Sequence, residues 1–424
     1  MKGVYVLDFD MLCALGVGRE EVLAALHAGV RGGRLLQNFP AQGLPNQAGA
    51  EVSANLESLL SAEPPAWRAA MRYDRKLELV IAAKNIVRAR WSRWLDALPI
   101  ESAQIWLGLG LDICPVDQMS REKVSPSYLD WARHFNSPPT IPNQLTNPID
   151  IATQNFRQTW PALRAGRNVL TACASSAQAL GLALRSLRRG ECEVALAGGG
   201  DSLLNLLGYV AFLKMGVIPQ SLDAPATQCR PLDVDRQGVL LGEGASLFLL
   251  ASEDFVRRHR LTPRLALRGY GSSLDAFKIT APDPEGKGMK NAMVRALRDA
   301  SLSPQDIGYI NLHGTGTKAN DPAEIKATRE VFPAGVRVSS TKDRHGHLIA
   351  GAGALELAIT CLALENDFLP GNLNLEKPID TLGLEFVRGA TVPANTRYAL
   401  SSSFAFGGIN ASLVIERIPH GSRP

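Results

Sequence analysis

Cys173 lies in the run Thr171-Ala172-Cys173-Ala174-Ser175-Ser176-Ala177. A stretch that reads as a strand, Asn168 to Thr171, ends just before it, and a helical stretch, Ser175 to Arg189, begins just after it. A thiol at such a turn meets the unpaired N–H groups and the positive end of the helix dipole. Both lower its pKa and raise its thiolate fraction. That is the setting of a nucleophile toward a carbonyl or thioester carbon. A buried cysteine can equally be a small packing residue, but the placement favours the nucleophile. Cys13, Cys114, Cys192, Cys229 and Cys361 lack this placement and read as structural thiols.

Two histidines stand where side chains can project into a cleft. His313 caps a strand and leads into the loop Gly314-Thr315-Gly316-Thr317. His347 follows Lys342-Asp343-Arg344-His345-Gly346 and precedes the small-residue run from Ala350 to Ala354. The His-Gly-His triplet invites a metal reading, but no cysteine or acid stands at a matching spacing, so no metal is expected. Lys342 follows a strand end beside the histidines, where a cation can tune their protonation. Asp321, Pro322 and Glu324 have the spacing of a helix cap. In Ser403-Phe404-Ala405-Phe406-Gly407-Gly408-Ile409-Asn410, two glycines after an aromatic make a mobile turn whose N–H groups can face a ligand. The run Gly238 to Gly244 lacks the Lys-Ser/Thr pair of a phosphate-binding loop.

These residues need a frame, and the pattern supplies an α/β one. Gly3 to Phe9 and Ile105 to Leu109 read as strands, and Trp67 to Leu95 has helical spacing. Asn168 to Thr171, Ser175 to Arg189 and Val194 to Gly199 form a strand–helix–strand crossover, which implies parallel strands. A boundary fits Ser252 to Pro263, where charge is dense. Beyond it the grammar repeats, with strands at Arg264–Tyr270, Ile307–Leu312, Val336–Ser340, Tyr398–Ser402 and Ala411–Glu416 and helices between them. Two halves of similar order suggest a duplication, 1–255 and 256–424. The stretch Cys114 to Pro148 is a long excursion of the kind that serves or covers a site.

The 424 residues are 46% hydrophobic and 20% charged, an ordinary globular composition with material for about two to three domains. Net charge is only +4, and the one dense basic run, Arg257 to Arg260, is short. A nucleic-acid surface is not expected. No apolar run is long enough to span a membrane, and Met1 to Leu15 lacks the pattern of a signal peptide. Six scattered cysteines suit a reducing compartment, so the expected address is cytoplasmic.

Five segments together resemble the β-ketoacyl synthase family of fatty-acid and polyketide condensing enzymes. They are TACASSA from Thr171, CRPLDVDRQGVLLGEGA from Cys229, HGTGTKANDPAE from His313, STKDRHGHLIAGAGALE from Ser340 and SSSFAFGGINAS from Ser401. They occur in the family's order, and the resemblance covers essentially the whole chain. It implies a thiolase-like duplicated five-layer αβαβα sandwich. It implies Cys173 as the acyl-accepting nucleophile and His313 and His347 as the pair that promotes malonyl decarboxylation. Lys342 matches the lysine near them, and Glu324 an acid linked to that lysine. Phe406 matches an aromatic gate in the loop with Gly407 and Gly408, its N–H joining that of Cys173 as an oxyanion hole. Arg68, Arg72, Lys123 and Lys214 fall near the positions where the family meets its acidic carrier protein.

The chain departs from the family at Ala350-Gly351-Ala352-Gly353, where Gly-Ala-Ala-Gly is common, at Ile409, where Thr is usual, and at Ala405, where Gly is usual. The resemblance further implies acyl and malonyl groups on the phosphopantetheine of an acyl carrier protein, no cofactor, and a homodimer or a heterodimer with a related subunit. Two other readings stand beside the active enzyme: a non-catalytic partner subunit like a chain-length factor, and a thiolase-like enzyme using coenzyme A. The complete Cys, His, His set disfavours both.

Overall fold

The computed structural model describes residues 2–38, 41–71, 74–110, 150–164, 166–220 and 223–419. The excursion 114–148, with Lys123, lies outside them, as does Arg72. Among the described residues, one sheet of twelve strands runs through the fold. Its first half uses β1 (Val4–Cys13), β2 (Gln104–Leu109), β3 (Arg167–Val169), β4 (Val194–Ser202) and β5 (Glu243–Ser252). Its second half uses β6 (Leu265–Leu274), β7 (Ile307–Asn311), β8 (Arg337–Ser339), β9 (Tyr398–Phe404) and β10 (Ile409–Arg417). Gly16–Val17 and Glu385–Phe386 complete the sheet.

The strand order repeats. In the first half it is β1-β5-β4-β2-β3, and in the second β6-β10-β9-β7-β8. Both begin with two antiparallel pairings and end with two parallel ones. Among the described residues, the halves meet within the sheet where Tyr5 and Val6 of β1 face Ala266 and Leu265 of β6.

The helices and half-sheets pack in five layers around three large hydrophobic clusters. The outer helix α1 (Arg75–Leu95) covers the first half-sheet through Leu79, Val80, Val87 and Trp91. Helices α3 (Lys287–Ala300) and α4 (Asn320–Val331) cover the second through Met289, Met293, Ala323 and Ala327. Between the half-sheets lie α2 (Ser175–Arg188) and α5 (Ala352–Glu365). Residues 352–364 of α5 are all buried, as expected of a helix apolar on every side. Small residues permit the close layering: a Cβ on Gly108 of β2 would lie 2.2 Å from the Ser176 nitrogen, and one on Gly353 would lie 2.7 Å from the Ala177 Cβ.

The helix expected over Trp67–Leu95 is in fact two, Pro65–Met71 and α1. Asp74 caps α1 by accepting the Leu77 N–H at 3.0 Å. Asp321 does not cap α4. The helix starts at Asn320, and Asp321 instead accepts the Leu232 N–H at 2.8 Å and the Gly316 N–H at 3.2 Å. Among the described residues no helix is long and apolar enough to cross a membrane.

Candidate active site

Cys173 and His313 each follow the end of a strand. After β3 the chain makes one tight turn, Ala172–Ala174, and enters α2. Ala172 has φ 47°, a left-handed conformation that costs a non-glycine residue on the order of 1–2 kcal/mol. The Ser175 hydroxyl holds the turn, accepting the Thr171 N–H at 2.8 Å and donating to the Ala172 carbonyl at 2.7 Å. Cys173 is thereby fixed at the head of α2 and is 3% exposed.

His313 follows β7, and Glu324 on α4 secures its turn. Its carboxylate accepts the His313 N–H at 2.7 Å and the Gly314 N–H at 2.8 Å. His347 is held by its backbone, donating to the Leu240 carbonyl at 2.7 Å and accepting from the Gly242 N–H at 3.0 Å. These three elements converge: the Cys173 sulfur and one ring nitrogen of each histidine lie within 4.8 Å of one another. The rings stand nearly perpendicular, with centroids 5.2 Å apart.

The electrostatics differ from the sequence expectation in two respects. Burial pushes the Cys173 thiol up to about 12, against the opposing charge of Lys342 and the Phe406 N–H, so desolvation outweighs the helix terminus. The resting residue is a neutral thiol rather than a thiolate. Lys342, expected beside Glu324, forms its ion pair with Glu356 of α5. It also donates to the His313 carbonyl at 2.5 Å. Glu324 serves the backbone turn instead. Burial raises both Glu324 and Glu356 to about 7.

Burial and the Lys342 charge push both histidines well below the ordinary imidazole value. They are therefore neutral at pH 7, and their neighbours select the tautomer. Lys342 Nζ lies 3.3 Å from His313 Nδ1, and the Ile349 N–H points at His347 Nδ1 from 3.3 Å. Each Nδ1 thus accepts, which leaves the proton on Nε2. Two Nε2–H donors suit a developing oxyanion and make poor metal ligands, since a metal needs the lone pair. In ¹⁵N spectra of histidine-labelled protein, His313 and His347 should remain neutral Nε2–H tautomers from pH 8 to pH 5.5. A transition of either ring near pH 6.5 would contradict this arrangement.

The chamber wall joins apolar side chains, Phe212, Phe404, Phe406, Val217 and Val239, to polar ones that include Asp275, Thr315 and Asn410. The Phe406 N–H donates to the Cys173 sulfur, and its ring tilts against Phe212 at 6.2 Å. The two glycine N–H groups do not face a ligand here. Gly407 donates to the Ile279 carbonyl at 2.6 Å and Gly408 to the Ala405 carbonyl at 3.1 Å. Asp275 ties the same loop down by accepting from the Asn410 amide at 2.7 Å.

Residues 166–255 match the β-ketoacyl synthase N-terminal domain, and residues 265–376 match the C-terminal domain. The 3-oxoacyl-[acyl-carrier-protein] synthase 2 of Rhizobium meliloti is 31% identical, covering 98% of this chain and 99% of its own. The enzyme of that name from Vibrio cholerae is 30% identical with the same coverage. This chain belongs to the β-ketoacyl synthase family. Among solved structures, the ishigamide ketosynthase/chain length factor superposes with a TM-score of 0.84 at 28% identity, over 99% of this chain and 100% of that one. The thiolase-like fold read from the motifs is the fold found.

Of the four basic residues that the family resemblance placed at a docking face, Arg68 and Lys214 are described, and both are exposed. Lys214 ends the helix Leu206–Lys214, whose Phe212 lines the chamber around Cys173. Arg68 lines a different cavity, of about 350 Å³, together with Glu57 and Glu78. Sequence reasoning missed Glu356 and Asp275.

Proposed function

We propose that this condensing enzyme parks an acyl group on Cys173 and extends it with a malonyl unit, both delivered as carrier-protein thioesters. The observation that carries this reading is the convergence of one sulfur and two neutral imidazoles within 4.8 Å in a buried chamber. In the first step the Cys173 thiol attacks the acyl thioester. Because the thiol is neutral at rest, its proton leaves with the departing carrier sulfur, and no net charge is buried. The N–H groups of Cys173 and Phe406 receive the oxyanion.

In the second step malonyl thioester binds and loses carbon dioxide. The enolate oxygen that develops is met by Nε2–H of His313 and of His347, donors positioned before the charge appears. The enolate carbon attacks the acyl carbon, the bond to the Cys173 sulfur breaks, and a proton restores the thiol. Lys342 and Glu356 act as positioning residues, holding His313 through its carbonyl and its Nδ1. The first half, 1–255, supplies the nucleophile and the second, 256–424, the donors, in a homodimer or beside a related subunit.

Incubation with acyl- and malonyl-carrier protein tests this reading. An acyl mass increment on the intact protein, followed by release of 3-ketoacyl-carrier protein, is the expected result. No increment and no product would make the chain a non-catalytic partner subunit. Product formed only from coenzyme A thioesters would make it thiolase-like.

A further inference from the structure

Lys342 and His347 flank a single helical turn, Lys342–His345. A helix of four residues is not stable by itself, so its neighbours must fix it. Arg344, inside that turn, is buried and does not line the chamber. Its guanidinium gathers four main-chain carbonyls. It donates to Leu26 at 3.1 Å, to Gly371 at 2.6 Å, to Gly389 at 3.0 Å and to Ala390. Its own carbonyl accepts the Gly32 N–H at 2.7 Å. Both the side chain and the main chain of Arg344 therefore bind the segment that follows β1.

The next residue back grips a neighbouring loop. The Asp343 carboxylate accepts the Leu373 N–H at 2.5 Å and the Asn374 N–H at 3.0 Å. Arg31 holds the same two residues from the β1 side, donating to the Asn374 side chain at 2.7 Å and to the Leu373 carbonyl at 3.1 Å. Four carbonyl oxygens aimed at one buried point need a cation with several N–H groups. A guanidinium offers five in a planar fork, whereas an ammonium offers three from one point.

We propose that Arg344 is a positioning residue for decarboxylation: by joining the four carbonyls it sets where Lys342 and His347 stand relative to Cys173. This rests on the two-step reading above. Lys342 opens the turn and reaches Glu356, the His313 carbonyl and His313 Nδ1. A shift of the turn thus moves the donors of both histidines together. Cys173 and the Phe406 N–H stand before α2 and between β9 and β10, on segments that make none of the Arg344 bonds. Acyl loading therefore does not depend on Arg344.

The test measures the two half-reactions separately in Arg344→Lys, which keeps the charge and loses the fork. Malonyl decarboxylation should fall in kcat by about ten- to a hundredfold, the cost of donors misplaced by up to about 1 Å. The KM for malonyl-carrier protein and the rate of acyl adduct formation on Cys173 should stay within about twofold of the parent, as for a change confined to the transition state of one step. In ¹⁵N spectra His313 should no longer be a single Nε2–H tautomer, because Lys342 is what selects it. Arg344→Gln, with fewer donors and no charge, should show the same split. An equal fall in both half-reactions, a fall in neither, or failure of both variants to fold would make Arg344 a purely structural residue and overturn the assignment, leaving the condensing reading intact. Absence of either half-reaction in the parent would overturn both.

Discussion

Cys173→Gln should lose the acyl adduct entirely and lower condensation by at least about 10³-fold, as for other removed nucleophiles. Malonyl decarboxylation should persist or rise. The two half-reactions separate because they use different groups. Loading needs the sulfur, whereas decarboxylation needs only donors at the malonyl thioester oxygen. A neutral amide at position 173 can occupy the place of the acyl thioester and leaves His313, His347 and Lys342 in their contacts. Cys173→Ala should also abolish loading and condensation. The measurements are intact mass after acyl-carrier incubation and carbon dioxide release from malonyl-carrier protein. An acyl adduct that survives either substitution would place the nucleophile elsewhere.

His347→Ala should show the opposite split. The acyl adduct should still form, while decarboxylation should fall by on the order of 100-fold or more, the usual cost of one oxyanion donor. The variant should fold, because the backbone of residue 347 holds its place through Leu240 and Gly242, bonds that alanine retains. His313→Ala should resemble it with some loss of loading, since Lys342 packs on the His313 carbonyl and ring. Decarboxylation at the parent rate in His347→Ala would remove that ring from the mechanism.

Much of this site was legible because its residues sit at strand ends, where local pattern and motif coincide. Cys173, His313 and Lys342 follow β3, β7 and β8, and each strand was marked by its own apolar run. What could not be read was pairing across the fold. Glu324 lies eleven residues from His313 and was assigned to Lys342, yet the turn at Gly314 presents two N–H groups to its carboxylate first. Glu356 was overlooked although it is the only charge between Ala350 and Leu364. A lone carboxylate in an apolar helix must be neutralised when buried, and that signal pointed to a partner without naming it. The thiol's pKa went astray for a related reason. Sequence reveals the helix that lowers it but not the depth of burial that raises it.

The strand order carries one more consequence, for the way the molecule is made. β1 precedes the other strands of the sheet along the chain, yet it lies at the centre of the sheet between β5 and β6. Val4 pairs with Ser252, and Val6 faces both Leu250 and Leu265. At about 5–20 residues per second, β1 emerges on the order of tens of seconds before its neighbours exist. During that interval an apolar strand with two open edges is exposed on the nascent chain. Neither half can close its sheet early, because β5 arrives last in the first half and β10 last in the second. The reactive groups, drawn from both halves, come together only after both halves have been made.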